Sequence, residues 1–256
     1  MNILLAAYSN RSRMKVCLIP LKMEARNPAE NLHRFQQRLA EVAPYQPDLV
    51  GLPECAFTGY LYETQDFEKF AEPIPGETTA TIARLAKEHR CYICLGMLEK
   101  SKEGVYSSAV LVDKFGRIVH IHRKIIEQPP FATGKEVKAI DTELGKVSIL
   151  LCGDLFDDGV KAEISSDTDI LILPLARSFD GKSPDLERWM KEERQAYVNE
   201  IKKVGITGLI VNALEEPSLP EASFGGAMIV SPDGEVLAES EHGTDTALMF
   251  ELVSVR

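Results

Sequence analysis

The sequence predicts a layered α/β fold in which mixed sheets are covered by helices. Short runs of Val, Ile and Leu alternate with amphipathic stretches of helical period. Hairpin signals are interleaved with helical crossovers, so parallel and antiparallel pairing must coexist. Runs such as Val147–Cys152 and Ile170–Ala176 are apolar without clean alternation. Strands of that kind are buried on both faces, so the sheets pack on something apolar, with each other as one option.

The elements follow in order. Val16–Leu21 reads as the first strand. Asn27 and Pro28 supply an N-cap and a first helical residue whose missing N–H costs nothing. Leu32, Phe35, Leu39 and Val42 then form one apolar stripe. Asp48–Leu52 is a short strand leading into Pro53-Glu54, and a helix over about Thr78–Arg90 turns Ile82, Leu85 and Ala86 inward. Cys91–Leu98 is a strand. Tyr106–Asp113 and Arg117–His122 form a hairpin about Lys114-Phe115-Gly116, and Val137–Asp141 with Lys146–Leu151 a second about Leu144-Gly145. Ile170–Leu173 is a buried strand. A long helix, about Pro184–Val204, stops at Gly205. Thr207–Asn212, Gly226–Val230, Glu235–Ala238 and Ala247–Leu252 are strands, with Pro232-Asp233-Gly234 as a turn. No repeat or linker divides the chain, so residues 14–256 read as one domain. Residues 1–13 precede the first recognisable element and read as an extension, or as sequence upstream of a start at Met14.

Composition removes several classes of function. The 256 residues carry a formal charge of −10 and no basic block. A protein that tracks phosphates needs clustered Lys and Arg, so nucleic acid is not an expected partner. The apolar runs fall far short of the roughly 20 residues of a bilayer span, and Met1–Ala7 lacks the basic start and long core of a signal peptide. Five scattered cysteines do not make a disulfide framework; they read as reduced thiols in the cytoplasm.

Chemistry gathers at strand ends. Cys152 closes one strand and is followed by Gly153-Asp154. A sharp turn there would place the sulfur beside backbone N–H groups, as a thiol nucleophile requires, together with exposure and a lowered pKa. A small hydrophobe ending a buried strand is the plainer alternative. Glu54 ends another strand between Leu52 and Cys55-Ala56-Phe57; it is a surface glutamate, or a carboxylate whose apolar setting raises its pKa toward that of a general base. Lys124 ends a third, as a solvated basic residue or as an ammonium facing a thiolate and a carboxylate. Other clusters carry less. Cys91 and Cys94 are three apart on a strand, point to opposite faces and read as core. His120 and His122 share a strand face and serve as packing or as a base for Cys152. Asp154, Asp157 and Asp158 lack calcium-loop spacing, no phosphate loop surrounds Gly225-Gly226, and Trp189 with Tyr197 reads as packing.

With these residues in view the chain resembles the nitrilase superfamily of carbon–nitrogen hydrolases. The matching segments, in order, are Leu52-Pro53-Glu54 with Phe57-Thr58-Gly59-Tyr60, Arg123-Lys124, and Leu151-Cys152-Gly153-Asp154-Leu155-Phe156. Arg194-Gln195-Ala196, Asn212, Phe224-Gly225-Gly226 and Ser231-Pro232-Asp233-Gly234 extend the match from about Met14 to the end. The resemblance implies a four-layer αββα sandwich with two mixed sheets, a homodimer or higher homo-oligomer, and a Glu54-Lys124-Cys152 triad that needs neither metal nor organic cofactor. It implies cleavage of a non-peptide C–N bond in a small amide, ω-amide or N-carbamoyl compound through a cysteine thioester. A nitrile-hydrolysing member and a catalytically silent scaffold are the alternatives. Glu127 is the candidate second glutamate, Gly153 an oxyanion donor, and Arg177 a substrate contact or a surface residue. His122 stands where Tyr is frequent, and Ile125-Ile126 and Phe156-Asp157-Asp158 also depart from the common pattern. These departures bear on substrate identity more than on reaction type.

Overall fold

In the computed structural model, residues 13–61, 63–177, 186–215 and 223–253 are described. Among the described residues, twelve strands form two mixed sheets of six. The first is built from β1 (Arg13–Leu18), β2 (Leu49–Gly51), β3 (Tyr92–Lys100), β4 (Val105–Val112), β5 (Ile118–Arg123) and β12 (Leu248–Val253), in the order β12-β1-β2-β3-β4-β5. The second contains β6 (Ala139–Thr142), β7 (Gly145–Ile149), β8 (Ile170–Leu175), β9 (Thr207–Asn212), β10 (Ala227–Val230) and β11 (Val236–Glu239), in the order β11-β10-β9-β8-β7-β6. Each sheet has a parallel centre, β1-β2-β3 in one and β7-β8-β9 in the other, with antiparallel strands on both flanks.

Three apolar clusters separate four layers. Alternate residues of each central strand explain them, because neither strand face meets water. In β8, Ile170 and Ile172 enter the cluster between the sheets, whereas Leu171, Leu173 and Leu175 face the helices. In β3, Tyr92 and Cys94 face the other sheet, and Ile93, Leu95 and Met97 face outward. The outer cluster of the first sheet is covered by α1 (Pro28–Val42) through Phe35, Leu39 and Val42, and by α3 (Glu77–His89) through Ile82, Leu85 and Ala86. The second sheet is covered by α4 (Asp158–Ala162) and by α5 (Leu186–Arg188), which continues through a π-helical turn at Trp189–Glu193 into α6 (Arg194–Val204). Helices, sheet, sheet and helices thus form the αββα sandwich.

Several bounds differ from the sequence reading. The first strand starts at Arg13 and ends at Leu18; Ile19 and Leu21 are buried beyond it, Ile19 donating to the Gly51 carbonyl and the Leu21 carbonyl accepting from the Leu214 N–H. Residues 1–12 and Pro184, where the long helix was expected to start, lie outside the described residues. A short helix, α2 (Thr64–Phe70), stands where no helix was expected and buries Phe67 and Phe70 against Leu61 and Phe131. Cys91 and Cys94 are both fully buried, on opposite faces of the first sheet. Trp189 and Tyr197 pack ring to ring in the outer core, with centroids 5.8 Å apart.

Candidate active site

The ends of β2, β5, β7 and β8 meet at one edge of the sandwich. The backbone N–H of Glu54 donates to the Leu175 carbonyl at the end of β8, joining the two sheets there (3.2 Å). The turn after β2 lies directly on β3: the Gly96 N–H donates to the Pro53 carbonyl and the Ala56 N–H to the Gly96 carbonyl, both at 3.0 Å. A Cβ on Gly96 would come within 2.4 Å of Glu54 Cα, so only glycine allows this approach. The following residue, Cys55, has φ +50°.

Glu54 is fully buried. Its Oε1 accepts from Ser107 Oγ at 2.7 Å and lies 3.2 Å from Lys124 Nζ, while its Oε2 has no hydrogen-bond partner. Burial raises its pKa, against the lowering effect of Lys124 and Ser107; Glu127 adds to the rise. A carboxylate with one oxygen anchored and the other unclaimed is arranged to accept a proton.

Lys124 follows β5 and is held by its backbone, which donates to the Ser107 carbonyl (2.9 Å) and accepts from the Gly134 N–H (2.7 Å). Its ammonium lies 2.8 Å from Glu127 Oε2 and donates to Tyr60 Oη at 2.9 Å. Together with Glu54 these partners match the three N–H donors of an ammonium. Burial alone would lower the Lys124 pKa, but Glu54, Cys152 and Glu127 outweigh it and the net shift is upward. Tyr60 Oη in turn donates to Glu127, whose other oxygen accepts from the Gln128 N–H.

Cys152 opens a 3₁₀ turn, Cys152–Phe156, at the end of the β7 segment. The sharp turn expected from Cys-Gly is made by the cysteine itself, with φ +41°. A Cβ on Gly153 would find only ordinary contacts with Ile126 at 3.8 Å, so the glycine is not what the bend needs. The thiol is half-buried, less open than expected. Burial pushes it up to about 11, and Glu54 adds to that; Lys124, Arg177 and a hydrogen bond with the Ala176 backbone pull the other way. The expected lowered pKa is therefore not found, and the group needs a base to become a nucleophile at neutral pH. These electrostatic partners bring Glu54, Lys124 and Cys152 to one place.

Arg177, past β8, also faces this place. Its N–H donates to Asn212 Oδ1 at 2.8 Å, and its guanidinium grips Glu193 through Nε (3.1 Å) and Nη2 (2.9 Å). Burial disfavours its charge, but Glu193 holds the pKa above the ordinary arginine value. Asp157 caps α4 by accepting from the Val160 N–H (2.9 Å). Sequence reasoning missed Ser107, which anchors two of the site's residues, and cited Tyr60 only as part of a matching segment. Neither stands in a local pattern that marks it; the surrounding strands bring each in.

Comparison with known proteins agrees with this architecture. The chain is 25% identical over 230 residues to an omega-amidase of Xenopus tropicalis, covering 83% of this chain and 79% of the relative. It is 28% identical over 233 residues to a nitrilase of Pyrococcus abyssi, covering 88% and 84%. A solved structure of a Glu-to-Gln mutant of the amidase from Nesterenkonia sp. AN1 carries the acetamide moiety of fluoroacetamide covalently on its active-site cysteine. It superposes with a TM-score of 0.81 at 18% identity, over 95% of this chain and 92% of that one. The carbon–nitrogen hydrolase model matches residues 15–255, nearly the whole chain, and this protein belongs to that family.

Proposed function

We propose that this protein is a thiol-dependent amidohydrolase that cleaves a non-peptide C–N bond of a small linear amide, ω-amide or N-carbamoyl compound. The observation that carries the reading is the buried Glu54 carboxylate, with one oxygen fixed by Ser107 and Lys124 and the other unpartnered, electrostatically coupled to the Cys152 thiol. Glu54 takes the thiol proton as the sulfur attacks the carbonyl carbon, and returns it to the departing ammonia or amine. The resulting thioester is hydrolysed by a water that Glu54 deprotonates; the acid leaves and the thiol is restored.

The tetrahedral oxyanion is met by the Lys124 charge and by the Gly153 N–H, which lies in the first turn of the 3₁₀ segment, where backbone donors have no intrahelical acceptor. Of the three Lys124 partners, Tyr60 is the neutral one, so its place is the one a substrate oxygen takes at least electrostatic cost. Glu127 keeps the ammonium in place. A substrate carboxylate reaching Arg177 must compete with Glu193 for the guanidinium. Single-turnover labelling with an amide tests the proposal: an acyl adduct is expected on Cys152, and Cys152→Ala should lose both adduct and ammonia release. Continued turnover by that variant would overturn the reading.

A further inference from the structure

Asp154 has no part in the proton transfers above, yet its carboxylate is fully buried and receives four N–H groups. Oδ1 accepts from the backbone N–H groups of Ile125 (2.9 Å) and Ile126 (2.8 Å), the two residues after Lys124. Oδ2 accepts from the Leu151 N–H (3.2 Å), the residue before Cys152, and lies 2.9 Å from His122 Nε2. An ionised carboxylate only accepts, so the His122 tautomer carries its proton on Nε2. One side chain thus grips the chain on both sides of Lys124 and on both sides of Cys152, across the two sheets. His122 is itself buried on β5, aligned with Ala109 and facing the second sheet.

We propose that the Asp154–His122 pair is a positioning clamp that sets the Lys124 ammonium against the Cys152 sulfur, so that His122 acts through Asp154 and not as a base for the thiol. The inference rests on the reading of Cys152 as the nucleophile. In His122→Phe the ring volume stays but the donor to Oδ2 is lost. In His122→Gln an amide N–H can replace it. Asp154→Asn keeps the Ile125 and Ile126 contacts and turns a donor toward the Leu151 N–H.

The measurement is the pH profile of Cys152 alkylation by iodoacetamide in the folded protein, with Cys152→Ala as the blank; the other four cysteines are buried. The groups facing the sulfur are Glu54, Lys124 and Arg177, with Tyr197 of α6 beside them. Because an opposite charge nearby lowers a thiol's titration, loosening Lys124 moves the midpoint upward. A rise of about one pH unit is expected in His122→Phe and Asp154→Asn. kcat should fall roughly 10²-fold in both with KM little changed, as for a misplaced catalytic group. His122→Gln should recover most of both. If Asp154→Asn does not fold, the two His122 variants carry the test alone. A His122→Phe protein with lowered thermal stability but an unmoved midpoint overturns the clamp and leaves the hydrolase reading intact. Alkylation that persists unchanged in Cys152→Ala overturns both.

Discussion

At the scale of single residues the site depends on how closely backbone and carboxylate are packed. Gly96→Ala would force a methyl group into the Glu54 backbone, where 2.4 Å is available, so the proposed general base must move. The expected outcome is a folded protein whose kcat for ammonia release falls by roughly 10²-fold, the cost of about 1 Å of misplacement. Ser107→Ala tests the Glu54 environment instead. Burial already raises the Glu54 pKa above the ordinary carboxylate range, and the Ser107 hydroxyl opposes that rise. Without the hydroxyl the pKa rises further, and the base is ionised only at higher pH. The acid limb of kcat/KM should therefore shift upward, as a pH–rate profile will read; an unmoved limb would separate Ser107 from Glu54. The catalytic candidates were legible in the sequence because Glu, Lys and Cys stand at strand ends within matching segments. The role of Ser107 was not, since a serine inside a strand gains its meaning only from the Glu54 carboxylate brought over it by tertiary packing.

At the scale of elements, the long periodic segments were readable and the short ones were not. Helix α1 announces itself with a cap, a proline and an apolar stripe; α2 has seven residues, too few for a period to emerge, and is stabilised by the aromatic cluster it covers. The junction between α1 and the Phe57–Tyr60 loop turns on Asn31. Its Nδ2 donates to the Glu24 and Phe57 carbonyls (2.7 and 2.8 Å), and its Oδ1 accepts from the Glu24 N–H (2.8 Å). Asn31→Ala strands buried backbone groups, so a loss of about 2 kcal/mol is expected in urea unfolding. The loop carrying Tyr60 is fixed by this residue, so KM should rise in the same variant.

At the scale of the whole molecule, the two sheets are held by an apolar seam into which histidines of β5 intrude. His120 on β5 is buried, hydrogen-bonds the Lys138 backbone beside β6, and has no partner at Nε2. Burial, with His122 and Lys138 nearby, lowers its pKa from 6.5 to about 4. The folded state therefore binds fewer protons than the unfolded chain below pH 6.5. Stability is fully present above that value and declines as pH falls toward 4, by about 3 kcal/mol for this group. His120→Leu should flatten that part of the stability–pH curve in urea titrations; an unchanged slope would assign the acid sensitivity elsewhere. Layered mixed sheets were foreseeable from doubly apolar strands and the four-layer sandwich from the family resemblance, but which strands adjoin was not, because pairing partners such as β1 and β12 are separated by almost the entire chain.

That pairing has a consequence for biosynthesis. The outer edge of β1 is completed by Leu248–Val253, so the nascent polypeptide presents an unsatisfied row of amides and carbonyls until that distant segment has been made. An emerging chain of this kind is exposed to strand exchange with its neighbours on the same messenger until its own late strand arrives to cover the edge.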